Sequence, residues 1–150
     1  MLIVIGTGLA GYSLVREFRK LDRSTPVLMI SADDGAAYSK PMLSTGFTKR
    51  KTADELVTAN AGKMAEQLDV EIRTFTRVTR VLPASRQICI GEEMLSYTRL
   101  VMAVGAGVRH LPLAGDGADQ VVTVNDLLDY RRLRARLLPG QTVAILEVRV

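Results

Sequence analysis

Apolar residues fall along this chain in short unbroken runs that alternate with helical stripes. Leu2-Ile3-Val4-Ile5 is a β-branched run with no polar break, as expected of a strand covered on both faces. Leu14, Val15, Phe18 and Leu21 then recur at helical spacing with Arg16, Glu17, Arg19 and Lys20 between them, which predicts a helix buried along one stripe. Pro26 ends the connection, and Val27-Leu28-Met29-Ile30 reads as a second strand covered on both faces. Strand, helix and strand in this order make a βαβ unit.

Further along, Thr52-Ala53-Asp54-Glu55 carries a capping box and predicts a helix that runs weakly through Leu56 and Val57. A second short helix is expected around Met64 to Leu68, leading into a strand over 70–75. The runs Val81-Leu82, Gln87-Ile88-Cys89-Ile90 and Met94-Leu95 are divided by turns at Pro83-Ala84-Ser85 and Gly91-Glu92-Glu93, which predicts a small antiparallel meander. Leu100-Val101-Met102-Ala103-Val104 is another buried strand, ending in Gly105-Ala106-Gly107. Asn125 is the expected cap of a last helix, with Asp126 and Asp129 in its first turn and Arg131, Arg132, Arg134 and Arg136 toward its end, an order that follows the helix dipole. Pro139-Gly140 should stop it, and Gln141-Thr142-Val143-Ala144-Ile145-Leu146 predicts one more strand.

Chemistry enters between the first strand and the first helix. Gly6-Thr7-Gly8-Leu9-Ala10-Gly11 is a Gly-x-Gly-x-x-Gly turn with both flanking elements that a dinucleotide site requires. The first glycine permits the tight turn, the second lets the backbone approach a pyrophosphate, and the third lets helix and strand pack closely. Phosphates then lie against the amides at the helix N-terminus, so Gly6, Gly8, Leu9, Ala10 and Gly11 form the candidate cradle. Asp33 follows where an acid should meet the adenosine ribose hydroxyls, with Asp34 the neighbouring candidate. A carboxylate there favours an unphosphorylated ribose, as in FAD or NAD. The same residues would also suit an ordinary Asp-Asp-Gly turn.

Composition narrows the picture. A length of 150 residues suits one compact domain, and no window resembles a membrane span. The N-terminal apolar run is interrupted by Gly6 and Gly8 and lacks a signal-peptide pattern, so the expected location is cytoplasmic. One cysteine, Cys89, excludes a redox pair within the chain and reads as a buried hydrophobe. The net charge of +4 is spread over scattered bases among 16 acids, and with no tryptophan nucleic acid is not an expected partner. His110 has no nucleophile or metal partner beside it in the sequence, and Gly115-Asp116-Gly117 reads as a turn. No catalytic residue and no metal set is assigned.

The segment Tyr38-Ser39-Lys40-Pro41-Met42-Leu43-Ser44-Thr45-Gly46-Phe47 is neither a clean helix nor an alternating strand. Together with Ser31-Ala32-Asp33-Asp34-Gly35 it resembles, almost residue for residue, the signature of the bacterial rubredoxin-NAD reductase group. That group lies within the two-dinucleotide flavoprotein reductases, the pyridine nucleotide-disulfide oxidoreductase-like family. The resemblance implies that Lys40 and Pro41 lie near the isoalloxazine and pyrophosphate of FAD, where a cation could stabilise reduced flavin. It implies that Val78 touches the adenine through its backbone. It also implies that Ala103, Val104 and Gly105 supply the small side chains that a close pyrophosphate approach needs. The wider family often has a second lysine where this chain has Thr45.

These readings converge on an α/β, Rossmann-like FAD-binding fold with a parallel sheet and a small antiparallel three-stranded excursion, incomplete at the C-terminus. Residues 1–140 are expected to form the FAD-binding domain and 141–150 the truncated start of a second, NAD-binding domain, with Glu147-Val148-Arg149-Val150 ending the chain. The resemblance implies electron transfer from NADH through FAD to rubredoxin or a similar small carrier, in a chain truncated and inactive alone. Two alternatives stand beside it: a nucleotide-binding or interaction module without redox activity, and an independent NAD-binding domain.

Overall fold

The computed structural model describes residues 1–146. Its centre is a four-stranded parallel sheet built from β1 (Leu2–Ile5), β2 (Val27–Ile30), β5 (Glu71–Arg73) and β9 (Arg99–Met102). The spatial order is β5-β2-β1-β9, with β1 in register against both Val27–Ile30 and Arg99–Met102. The chain steps outward from β1 to one side and then returns to lay β9 on the other. That reversal creates a topological switch point beside β1, the place where open α/β sheets bind ligands beyond the strands' carboxyl ends.

Strand alternation divides the core. Leu2 and Val4 point to one face, where α1 (Leu9–Leu21) and α3 (Ala61–Leu68) cover them with Tyr12, Val15, Met64 and Leu68. Ile3, Leu28 and Ile30 point to the other face, where the antiparallel meander β6 (Arg80–Leu82), β7 (Gln87–Ile90) and β8 (Glu93–Ser96) packs through Ile88. Both faces are therefore covered, which is why the central strands lack alternating polarity. Cys89 is buried in the meander. Arg19 ties the helical layer together, donating to the carbonyls of Leu68, Asp69 and Thr25 at 2.8, 2.7 and 2.9 Å.

A third cluster joins the middle of the chain to its last helix. β3 (Ala37–Tyr38) pairs with β4 (Val57–Ala59), and α2 (Met42–Thr45) lies between them in sequence. Against this segment α4 (Leu127–Arg136) buries Leu127 and Tyr130 beside Leu43, Ala53 and Leu56. The Tyr130 ring meets Phe47 edge-on at 5.3 Å, and its hydroxyl donates to the Lys51 carbonyl at 2.8 Å.

Three sequence expectations are corrected. The Thr52 capping box forms, with Thr52 N–H to Glu55 at 2.7 Å and Glu55 N–H to Thr52 Oγ1 at 3.3 Å. It opens only a 3-10 turn over Asp54–Leu56, because Val57 then enters the ladder with Tyr38. The cap of α4 is Asp126, whose side chain accepts from Asp129 N–H at 2.8 Å, while the Asn125 side chain is engaged elsewhere. Residues 141–146 carry no strand: their apolar run finds no sheet neighbour among the described residues. The expected ending at 147–150 lies outside the described residues.

Candidate functional site

The parallel ladder continues past the ends of its strands and brings distant segments to one edge. Gly6 N–H donates to the Ile30 carbonyl at 2.8 Å, Ala103 N–H to Ile5 at 2.8 Å and Ser31 N–H to Arg73 at 2.9 Å. The three glycines of the turn then take three different environments. Gly6 has φ +110°, and a Cβ there would stand 2.1 Å from the Ala103 carbonyl oxygen. Gly11 is buried, and its Cβ would stand 2.1 Å from the Gly6 carbonyl oxygen. A Cβ added at Gly8 would meet nothing within 4 Å, and Gly8 caps α1 without any side-chain hydrogen bond. Two glycines thus close the turn against protein, and the middle one faces open space at a helix N-terminus whose first amides have no helical acceptor. Leu9 and Ala10 flank it, both exposed, and no acidic side chain occupies the first turn. This is the shape an anionic ligand requires.

The acid lies beside this cradle. Both described bonds to the Asp33 carboxylate fall on Oδ1, from the Ser31 hydroxyl and from Gly35 N–H at 2.9 Å. Ser31 in turn contacts Thr7 of the glycine turn, Oγ to Oγ1, at 2.6 Å. Tyr12 braces the same loop, donating from its hydroxyl to the Gly35 carbonyl at 2.5 Å, and burial together with the Asp33 and Asp34 charges pushes its phenol up to about 12. Asp34 faces away, 4.0 Å from the Arg131 guanidinium, which itself pairs with Asp54 at 2.6 Å. Asp33 rather than Asp34 therefore shares the edge with the glycines.

The remaining sequence candidates divide. Ala103 stands against Gly6, and Gly105 follows with φ +68°. Val104 is exposed. Lys40 reaches the segment after β9 through Asn125: its ammonium donates to Asn125 Oδ1 at 2.8 Å, and Asn125 Nδ2 donates to the Ala106 carbonyl at 3.0 Å. Pro41 starts α2 next to it. Val78 packs half-buried with Ile30 and Ile88 on the meander side. Thr7, Ser31 and Asn125 were not candidates from sequence. Their partners lie 24 and 85 positions away, and only the fold brings them together.

A parallel α/β sheet with this glycine turn at its switch point defines a dinucleotide-binding domain. The chain belongs to the pyridine nucleotide-disulphide oxidoreductase family, which it matches over residues 1–146. It is 48% identical over 145 residues to a rubredoxin-NAD(+) reductase of Alcanivorax borkumensis, covering 97% of this chain and 38% of that protein. It is 40% identical to a rubredoxin-NAD(+) reductase of Acinetobacter baylyi, covering 93% of this chain and 37% of that protein. In fold it is similar to the crystal structure of NADH:rubredoxin oxidoreductase from Clostridium acetobutylicum, with a TM-score of 0.74 at 18% identity over 89% of this chain and 34% of the other. The chain thus spans less than two-fifths of the length of these curated relatives. It corresponds to the N-terminal, FAD-binding region of a family that uses FAD and NADH. Among the described residues no helix is long and apolar enough to cross a membrane.

Proposed function

We propose that this chain is the FAD-binding portion of a cytoplasmic, NADH-dependent flavoprotein reductase that passes electrons through FAD to rubredoxin or a similar small carrier. The observation that carries the reading is Gly8, where an added Cβ would meet open space, between two glycines that are closed against protein. A pyrophosphate fills such an opening, held by the backbone around Gly8, Leu9 and Ala10, with Gly6, Gly11 and Ala103 keeping the turn in shape. Asp33, with Oδ2 available, accepts from the ribose hydroxyls. Val78 offers its backbone to the adenine, and Pro41 and Gly105 border the path toward the ring. Lys40 brings a cation to the ring end, where it favours the negative charge of the reduced state. Bound FAD supplies the redox chemistry; these residues supply its place and its electrostatics.

Residues 1–140 act as the FAD-binding unit in this reading, and 141–150 lead toward the nicotinamide domain of the longer relatives. Leu111, Leu113, Val121, Val122 and Val124 are exposed along the connection after β9, apolar surface that such a domain would cover. The 150 residues contain a single Gly-x-Gly-x-x-Gly, hence one dinucleotide site. That observation favours a second reading, nucleotide binding without redox turnover by this chain alone, since nothing here would orient nicotinamide against flavin.

The test is a titration of the purified chain with FAD, following flavin fluorescence and melting temperature together. Saturable binding that is lost in Gly8→Val, with the variant's melting temperature held close to that of the parent, is the expected outcome. A folded chain that binds no FAD overturns the proposal. Added NADH should reduce the bound flavin at a rate far below that of a whole reductase, and rapid turnover would overturn the second reading.

A further inference from the structure

We propose that Thr7 and Ser31 are positioning residues that aim the Asp33 carboxylate at the hydroxyls of a nucleotide's ribose, so that the glycine turn and the acid act as one recognition unit. The inference rests on the nucleotide reading above and adds to it a specificity device. Thr7 and Ser31 are, tyrosines aside, the two buried polar side chains among the described residues, 5% and 3% exposed. Burial of a hydroxyl is unfavourable unless it is hydrogen-bonded, so both need partners. They find each other at 2.6 Å, and Ser31 also bonds Asp33 Oδ1.

The direction of these bonds follows from proton supply. An ionised carboxylate only accepts, so the single Ser31 proton is given to Asp33 Oδ1. Ser31 Oγ then has only lone pairs to offer Thr7, and Thr7 must donate its own proton to it. The chain therefore runs one way, from Thr7 through Ser31 to Asp33. With Gly35 N–H at 2.9 Å also on Oδ1, that oxygen is committed to the protein. Oδ2 is left as the acceptor for an outside hydroxyl, and the carboxylate is held by two bonds from its own loop, one of whose donors is braced by Thr7 of the glycine turn. Thr7 lies between Gly6 and Gly8, so the turn that cradles phosphate also fixes the acid that reads the sugar. A 2′-phosphate or a missing hydroxyl would then be rejected by a carboxylate that cannot swing aside.

The test measures the affinity of the 150-residue chain for ADP and for 2′-deoxy-ADP by calorimetry, in the parent and in Thr7→Val, Thr7→Ser, Ser31→Ala and Asp33→Ala. The parent should prefer ADP by roughly tenfold or more, as expected where a charged acceptor reads a hydroxyl. Thr7→Val and Ser31→Ala should each reduce that preference to about twofold, whereas Thr7→Ser, which keeps the hydroxyl, retains it. In an Asp33→Ala background, Thr7→Val should change the preference no further. If Thr7→Val and Ser31→Ala weaken both ligands equally and leave the preference intact, their role is structural and the inference is overturned. A parent chain that binds both ligands equally overturns the inference while the nucleotide reading stands; a parent that binds neither overturns both.

Discussion

The Lys40 ammonium donates to Asn125 Oδ1 at 2.8 Å across 85 positions of sequence. Asn125 Nδ2 donates in turn to the Ala106 carbonyl at 3.0 Å. Lysine has no acceptor and a carbonyl has no donor, so this is the one orientation of the amide that satisfies both. Asparagine thereby holds the cation beside the segment that follows β9 without neutralising it. An aspartate at this position would hold it equally well and cancel its charge.

That difference gives the first prediction. In the FAD-loaded chain, Asn125→Asp should lower the flavin midpoint potential by roughly 20–40 mV, for a loss of about 1–2 kcal/mol in the stabilisation of reduced flavin. Lys40→Met should lower it by a similar amount, since either change takes the local charge from +1 to 0, and the double variant, left with an unpaired carboxylate at −1, should fall further. Redox titration of the four proteins measures this. Asn125→Asp and Lys40→Met proteins that both keep the parent potential would show that the Lys40–Asn125 bond does not reach the flavin.

The second prediction concerns Tyr130. This side chain is 1% exposed, stacks edge-on against Phe47 and closes on Gly46, where an added Cβ would stand 2.5 Å from its hydroxyl. It is the main apolar anchor of α4, whose exposed face is otherwise basic. Tyr130→Ala should cost about 3–5 kcal/mol, the usual range for deleting a large buried aromatic. The loss should be local: amide exchange in 127–136 should accelerate strongly while β1, β2 and α1 stay protected. Equal acceleration everywhere would mean that α4 unfolds only with the whole sheet. Tyr130→Phe, which loses only the bond to Lys51, should cost about 1 kcal/mol.

Much of this architecture was legible from the chain because burial on two faces leaves an unmistakable pattern. Leu2–Ile5 and Val27–Ile30 became parallel strands, as did the run from Leu100, though its strand stops at Met102 rather than Val104, and the turns at 83–85 and 91–93 divided the meander as expected. Misreadings arose where a local signal was right but tertiary pairing decided the outcome. The Thr52 and Glu55 bonds form, yet Val57 gains more from the ladder with Tyr38 than from extending one 3-10 turn. Residues 141–146 have the composition of a strand and, among the described residues, no strand beside them, and an isolated strand has no source of stability. At the candidate site the glycines and Asp33 could be chosen from spacing. Thr7, Ser31 and Asn125 could not, since an isolated hydroxyl or amide has no sequence signature until the fold supplies its partner.

The last prediction is a pH dependence centred on Tyr12. Its phenol is buried and donates to the Gly35 carbonyl, and burial, followed by the charges of Asp33 and Asp34, pushes its pKa from the usual 10.0 up to about 12. Below pH 10 both folded and unfolded chains carry the phenolic proton, so this residue leaves stability independent of pH. Between about 10 and 12 the unfolded chain gives up the proton while the folded chain retains it, so the folded state binds more protons and stability falls as pH rises. The contribution is therefore fully present below pH 10 and is lost as pH rises through the folded value. Tyr12→Phe should destabilise the chain at pH 8 by about 1–2 kcal/mol, because the buried Gly35 carbonyl loses its donor. The same variant should show a shallower decline between pH 10 and 12 than the parent, so the two stability curves converge at high pH. Urea denaturation of both proteins across this range measures the effect, and parallel curves would show that Tyr12 titrates in the folded chain as it does in water.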